Sequence, residues 1–458
     1  MAPFESALKT RYEDYVNEPN CRDLDHIPGS YGPPLLGQTL EYFRDPFPFA
    51  QRRYREYGEI SRMSAAGARV LLCLGPDLMQ RILLDPQHDF SSRMGFHQRM
   101  SRFFGNSLIV EDFEHHRFSR RIAQTAFKNS SLKHYNVEIN RIYSAALTAW
   151  SARSGETLSF FSHIKNLLLL VAEQVFMGES ESNPRVTQAF VDCAKGTMYL
   201  IPWELPGTAL RRGLAGRRYL EAYVGERVAR KREGDDLDIL SHFCRERDEN
   251  GNFFTDENIT NQMIFLLFAA HDTTTSALTS TIDYLTVYPD IRERLERECR
   301  APAADFLQHE DLDSLPYLQQ VFNEVQRMRP SVPGVPRRTV REVELAGHRV
   351  PAHTLLHILP RFTHWMEDYW TEPQRFDPDR FSPRRAEHKQ HPFQFHPFGG
   401  GAHKCIGMHF AQMEYKCFMY QFLRRFDFEA ARREPEVPVK TFPLPCPVDG
   451  MPIVLSPR

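Results

Sequence analysis

The chain predicts a mainly α-helical fold with a smaller β region, and two features carry that expectation. From Thr255 to Tyr288 there is neither proline nor glycine, so one helix of roughly 50 Å, at ~1.5 Å per residue, can cross the whole body. Helical spacing also governs Val321, Val325 and Met328, and again Phe410, Met413, Cys417 and Tyr420, whereas the strand-like run Arg69-Val-Leu-Leu-Cys-Leu-Gly75 is short.

Size and composition narrow the function classes. With 458 residues, 41% of them hydrophobic and 25% charged, the chain is long enough for a large core. No Gly/Ser linker, repeat or charge block marks a boundary, so a single domain is expected, monomeric in the absence of any sign to the contrary. A formal net charge of −2 gives no global attraction to nucleic acid or anionic membrane. Eight cysteines from Cys21 to Cys446 lack paired spacing, which favours a reducing compartment. Met1 to Val16 carries Glu5, Glu13 and Asp14 and no apolar stretch of an anchor or signal peptide, and Leu167 to Ala172 is too short to span a bilayer. A cytoplasmic protein without a transmembrane anchor is expected.

In chain order, the segment Pro28-Gly-Ser-Tyr-Gly-Pro-Pro-Leu-Leu-Gly37 must be irregular, and a first helix follows near Phe47 to Tyr57. Asp112-Phe-Glu-His-His116-Arg-Phe-Ser-Arg120-Arg121 has acidic residues before basic ones, the charge order of a helix start, and puts His116 and Arg120 on one face. In the long helix, Thr255, Asp256 and Glu257 form the cap, and Pro289 closes the far end. Its centre, Ala269-Ala270-His271-Asp272-Thr273-Thr274-Thr275, offers hydroxyls that compete for backbone carbonyls and invites a local distortion. Phe265, Ala269 and Thr273 share a face on which a ligand can rest. A further helix begins at Ser314 and Pro316, ends before Pro330 and carries Glu324 and Arg327 three apart.

The most specific segment is Phe398-Gly-Gly-Gly-Ala-His-Lys-Cys405-Ile-Gly407, which leads into the helix of Phe410. Free N–H groups and the helix dipole there favour a thiolate, and glycines on both sides of it let the backbone approach a flat cofactor. A buried structural thiol and a zinc site using His403 and His409 are the alternatives, although the closely spaced ligand pairs of structural zinc are missing.

Phe398, Gly401, His403, Cys405 and Gly407 resemble the haem-ligand signature FxxGx(R/H)xCxG of the cytochrome P-450 family. The resemblance extends in family order through most of the chain. His116 and Arg120 match its (W/H)xxxR pair, which bonds a haem propionate; Ala269 to Thr274 is similar to (A/G)GxDT(T/S), with Ala270 in place of the usual glycine; Glu324 and Arg327 match ExxR; and Arg380, in Phe376-Asp-Pro-Asp-Arg-Phe381, would join their ion network. Arg337, with Arg338 as competitor, aligns with the arginine of the second propionate.

This likeness implies the cytochrome P-450 fold, with the long helix crossing over the haem. It implies one domain spanning 1–458, a β-rich lobe at about 28–110 plus 330–380, and a helical body at about 111–330 and 395–430. The cofactor would be haem b held by Cys405, with Phe398, Gly399, His403 and Ala269 against it. Thr273 would hydrogen-bond dioxygen, and Asp272 would pass protons inward from solvent. The activity implied is insertion of one oxygen atom into a lipophilic substrate, with Phe96, Phe103, Phe104, Phe265, Val332, Val335 and Leu444 as pocket walls. No flavin or nicotinamide domain follows Cys405, so electrons would come from a ferredoxin or flavodoxin with its reductase, docking on Arg117, Arg120, Arg121, Lys404 and Lys416. Pro206 to Leu220 and Ser331 to Arg337 look similar to retinoic-acid hydroxylases, and Ala-His-Asp-Thr-Thr to sterol demethylases, which suggests an isoprenoid, steroid, retinoid-like or fatty-acid substrate. A peroxide-dependent peroxygenase, a haem-thiolate isomerase and a non-catalytic haem sensor are the other readings.

Overall fold

The computed structural model describes residues 19–458 apart from 35, 180–182, 200–202, 248–250, 433–436 and 443, and apart from the side chains of 97–99. Met1 to Val16 therefore lies outside the described residues. The chain opens with α1 (Thr39–Arg44), α2 (Pro46–Tyr57), a hairpin of β1 (Ile60–Ala65) and β2 (Ala68–Cys73), α3 (Pro76–Leu84), β3 (Phe90–Ser91) and α4 (Ser92–Phe104). A helical stretch follows: α5 (Phe113–Ala123), α6 (Asn129–Ser151), the short β4 (Thr157–Ser159), α7 (Phe160–Val171), α8 (Pro184–Gly196), α9 (Ala209–Glu233), α10 (Ile239–Arg245), α11 (Asp256–Val287), α12 (Pro289–Arg300) and α13 (Pro316–Met328). The remainder is β5 (Val335–Thr339), β6 (Val343–Leu345), β7 (His348–Val350), β8 (Leu355–Ile358), α14 (Pro360–Thr363), α15 (Met408–Arg425), β9 (Phe426–Ala430), β10 (Val439–Lys440), β11 (Cys446–Pro447) and β12 (Pro452–Pro457).

Contacts group these elements into two compact units. One comprises the chain up to Arg117, Val332–Pro373 and His388–Lys404. Its sheet has the order β1-β2-β8-β5-β3, with β2 parallel to β8 and the other pairs antiparallel. Leu71, Cys73, Leu356 and Ile358 from the sheet pack on Met79 and Ile82 of α3, so alternate strand residues and one stripe of the helix share a core. Gly95 lets α4 cross β5 closely: a Cβ there would lie 2.9 Å from the Pro336 carbonyl.

The other unit holds Phe118–Ser331, Gln374–Glu387 and Cys405–Arg458. Here α11 runs 32 residues, about 48 Å at ~1.5 Å per residue, and the Thr255 hydroxyl caps its start by accepting from Asn258 N. Its buried positions lie all round the cylinder, which makes it a core helix. Pro289 marks its end but also opens α12, since proline suits the first turn of a helix. The distortion expected from the threonine run does not occur. Thr273, Thr275 and Thr281 donate to the carbonyls four residues back, at 2.8, 2.7 and 2.8 Å, and the helix continues unbroken.

Candidate functional site

In the first unit, the loop before Cys405 is shaped by a position that only glycine can fill. Gly401 has φ +63°, and a Cβ on it would lie 1.9 Å from the Leu83 carbonyl oxygen. Gly399 also has positive φ, and Gly400 faces the Phe393 ring, which a Cβ at that position would meet at 2.6 Å. The result is a tight ribbon through Phe398, Gly399 and the single turn Gly401–His403.

His403 meets His116 ring to ring, centroids 3.9 Å apart, and lies 3.9 Å from the buried Asp112 carboxylate. Asp112 accepts from the Ser91 hydroxyl and from the backbone N–H groups of Ser92 and Arg93 at 2.7 and 3.2 Å. Burial raises its pKa despite those donors. Arg337 is buried in the same unit, and burial pulls its guanidinium down to about 10. It donates to the carbonyl of its neighbour Pro336, 2.9 Å away, and among the described residues no carboxylate makes an ion pair with it. Arg338, the competing candidate, is committed elsewhere: it donates to the His353 and Pro19 carbonyls at 3.1 and 2.7 Å.

In the second unit, Cys405 is exposed and precedes α15, whose first residue follows Gly407. Arg120 is half-buried and close enough for the two charges to interact: burial lowers the arginine's pKa, and a Cys405 thiolate opposes that shift. Like Arg337, Arg120 makes no ion pair among the described residues.

Glu324 and Arg327 form a forked pair at 2.7 and 2.9 Å, fully buried. Arg380 adds a bond to Glu324 at 3.3 Å and one to Glu387 at 3.0 Å, while Asp377 N donates to Glu324 at 2.8 Å. Both arginines also bond the Arg375 carbonyl. This network ties α13 to the segment around Arg380.

On α11, Thr273 donates to the Ala269 carbonyl, and the Ser331 hydroxyl donates to the Thr273 carbonyl at 3.0 Å. Asp272 has a cationic neighbour that the sequence did not announce, Lys165 Nζ of α7 at 2.6 Å, and the His271 ring lies beside it with Nε2 at 3.2 Å. Burial alone would raise its pKa, but these two groups hold it far below the usual carboxylate range. The other residue missed is Glu414 of α15, buried and pushed up to about 8 by desolvation, with the Thr274 hydroxyl as its partner. Glu414 stands four residues after Phe410 and three before Cys417, and a carboxyl inside an apolar stripe is a signal that could have found it. Lys165 left no such trace.

The expected pocket residues divide between the units. Phe103 and Phe104 of α4 are buried, Phe96 and Val335 are half-buried and Val332 is exposed; in the other unit Phe265, Ala269 and Leu444 are half-buried. Lys416, expected to dock a partner, is a correction: its side chain is buried and its ammonium donates to the Leu312 carbonyl at 2.8 Å. Among the described residues no group of three or more His, Cys, Asp or Glu side chains converges as a metal site.

Comparison with known proteins gives the same answer. The family model Cytochrome P450 matches residues 27–447. Cytochrome P450 136 of Mycobacterium tuberculosis is 36% identical over 98% of this chain and 93% of its own, and cytochrome P450 120 of Synechocystis is 30% identical over 89% and 92%. The solved structure of retinoic acid bound cyanobacterial CYP120A1 superposes with a TM-score of 0.86 at 28% identity, covering 94% of this chain and 99% of that one. Fold and relatives define a haem-thiolate monooxygenase. The chain belongs to the cytochrome P450 family, has its fold and binds haem b through a cysteine thiolate. No described helix is long and apolar enough to cross a membrane.

The residues present suit that cofactor. Taking a guanidinium out of water costs several kcal/mol unless it is closely paired; Arg337 is buried and feels the charges of Asp112 and Asp85 without an ion pair among the described residues, and Arg120 is half-buried without one. Haem propionates would give each guanidinium a carboxylate whose geometry suits it.

Proposed function

We propose that Cys405 is the axial ligand, that Arg120, His116 and Arg337 hold the propionates, and that the chain hydroxylates a lipophilic substrate. Phe398, Gly399, His403 and Ala269 would lie against the ring, and Glu324, Arg327 and Arg380 would brace the ligand loop. The observation that carries this reading is the pair of arginines, one buried and one half-buried, that no carboxylate among the described residues meets in an ion pair. When bound through a thiolate, haem supplies O–O bond cleavage, because the sulfur pushes electron density onto the metal.

The chain's own residues would then manage protons and water. Thr273 keeps its hydroxyl on α11, where it can turn from the Ala269 carbonyl to a bound ligand. Asp272 stays ionised beside Lys165. Glu414, carrying its proton at neutral pH, adds no charge behind Thr274. The intact Asp272–Thr273 pair favours a dioxygen-using monooxygenase over a peroxygenase or an isomerase, and catalytic turnover would separate it from a sensor.

The substrate class we favour is an isoprenoid, steroid, retinoid-like molecule or fatty acid. Phe96, Phe103, Phe104, Phe265, Val332, Val335 and Leu444 would supply an apolar wall, and a relative holds retinoic acid. Electrons would come from a ferredoxin or flavodoxin with its reductase, to a monomer in the cytoplasm. Titrating the holoprotein with retinoids, steroids, terpenoids and fatty acids tests the substrate reading: one class should give a saturable low-spin to high-spin shift. No shift with any of the four would refute it.

A further inference from the structure

Gly95 stands inside α4, where glycine is the poorest helix former after proline. It does not have the positive φ that would call for glycine, so the reason for it is space. A Cβ there would lie 2.9 Å from both the carbonyl carbon and the oxygen of Pro336, and 3.1 Å from Arg337 Cα. All three are backbone atoms of β5, which is hydrogen-bonded to β8 on one side and β3 on the other and cannot swing aside. The Pro336 carbonyl also accepts Arg337 Nη1 at 2.9 Å. One oxygen therefore limits the approach of α4 and takes a hydrogen bond from the buried guanidinium.

The first turn of α4 is fixed independently. Asp112 accepts from Ser92 N, Arg93 N and the Ser91 hydroxyl, which in turn accepts from Met94 N at 2.9 Å; the Ser92 hydroxyl donates to the Ile109 carbonyl at 2.9 Å. A helix capped in this way and seated on backbone at Gly95 has no slack to slide. Pressure on its later turns, which hold the buried Phe103 and Phe104, is passed to β5 at the glycine, because close-packed interiors transmit strain.

We propose that Gly95 is a positioning residue that couples the apolar wall of α4 to Arg337: a ligand pressing on α4 shifts the Pro336 carbonyl and, with it, the guanidinium. The coupling rests on the reading that Arg337 meets a propionate and that Phe96, Phe103 and Phe104 face substrate. Ligand bulk and haem retention are then linked, and the link runs both ways.

The test is a double-mutant cycle on the holoprotein, with the rate of haem transfer to excess apomyoglobin as the readout. Gly95→Ala should speed haem loss several-fold in the wild-type background and leave it unchanged beside Arg337→Met, since the contact acts through that side chain. Equal acceleration in both backgrounds would overturn the coupling. The wall is read by spectral titration with imidazole and 4-phenylimidazole, which bind iron through the same kind of ring nitrogen and differ in bulk. Gly95→Ala should change the ratio of their dissociation constants several-fold, and an unchanged ratio would deny α4 its part. Where Gly95→Ala yields no folded holoprotein, Asp112→Ala, which releases the first turn of α4, should move the same ratio, and Asp112→Asn, which keeps an acceptor for Ser92 and Arg93, should bring it back; one ratio for both variants and wild type would overturn the inference. Failure of the underlying reading looks different: Arg337→Met alone would lose haem no faster than wild type, which removes the propionate assignment and the coupling together.

Discussion

In our proposal Arg337 is a residue tuned for a ligand at the expense of the empty fold. Burial drags its pKa down to about 10, a penalty of a few kcal/mol at ~1.4 kcal/mol per unit. Replacing it by Met should therefore leave the haem-free protein as stable as wild type or more so, while haem dissociates faster. Calorimetry of the apoprotein beside a haem-transfer assay reads both, and a destabilised apoprotein would mean that Arg337 has a structural partner. Thr273→Ala should uncouple electron consumption from product and release peroxide, and full coupling would deny Thr273 its part in proton delivery. At this scale the sequence was informative where residue type and spacing coincide. Cys405, His116 and Arg120 stood out for that reason. Lys165 did not, because its partner Asp272 is 107 residues away and an isolated lysine on a helix carries no local mark.

Among elements, α13 and α15 carry the buried carboxyl groups Glu324 and Glu414. Glu324 is fully buried between Arg327 and Arg380, so Glu324→Ala strands two charges and should cost roughly 3–5 kcal/mol, visible as loss of folded holoprotein in urea titration. Glu414 on α15 makes a pH-dependent prediction. Its folded value of about 8 lies above the unfolded value of about 4.5, so folding takes up a proton there. That stability is complete below pH 4.5 and is lost as pH rises toward 8. Glu414→Gln should melt close to wild type at pH 5 and increasingly above it by pH 8, worth a few kcal/mol at ~1.4 kcal/mol per unit. Parallel melting curves for the two proteins across that range would contradict the buried, protonated carboxyl. Element boundaries were legible where caps and breakers agree, as at Thr255 and Pro289 of α11. The unbroken course of α11 was not, because whether a hydroxyl bends a helix depends on its neighbours and not on its presence.

For the molecule as a whole, order along the chain said more than composition. Near-neutral charge and ordinary hydrophobicity fit a great many folds, whereas the ordered succession from His116 to Gly407 fits one family, and the match over residues 27–447 shows it. Partner choice was read less well. Lys416 looks like a surface lysine in sequence but lies in the interior, since an ammonium can be buried when a carbonyl and Asp313, 3.6 Å away, receive it. Arg121 is exposed and remains a docking residue in our proposal. Reversing its charge with Arg121→Glu should slow reduction by a ferredoxin, the gap closing as salt rises; equal rates at low salt would remove it from the interface.

All of these expectations depend on the sulfur of Cys405 binding haem iron as a thiolate, and the absorption spectrum of the reduced holoprotein under carbon monoxide reports that bond directly. The wild-type protein should show the strongly red-shifted Soret band of a thiolate-ligated haem, and Cys405→His should lose it while retaining haem. A wild-type spectrum with the band of an imidazole-ligated haem, or a Cys405→His protein that keeps the red-shifted band, would contradict the assignment.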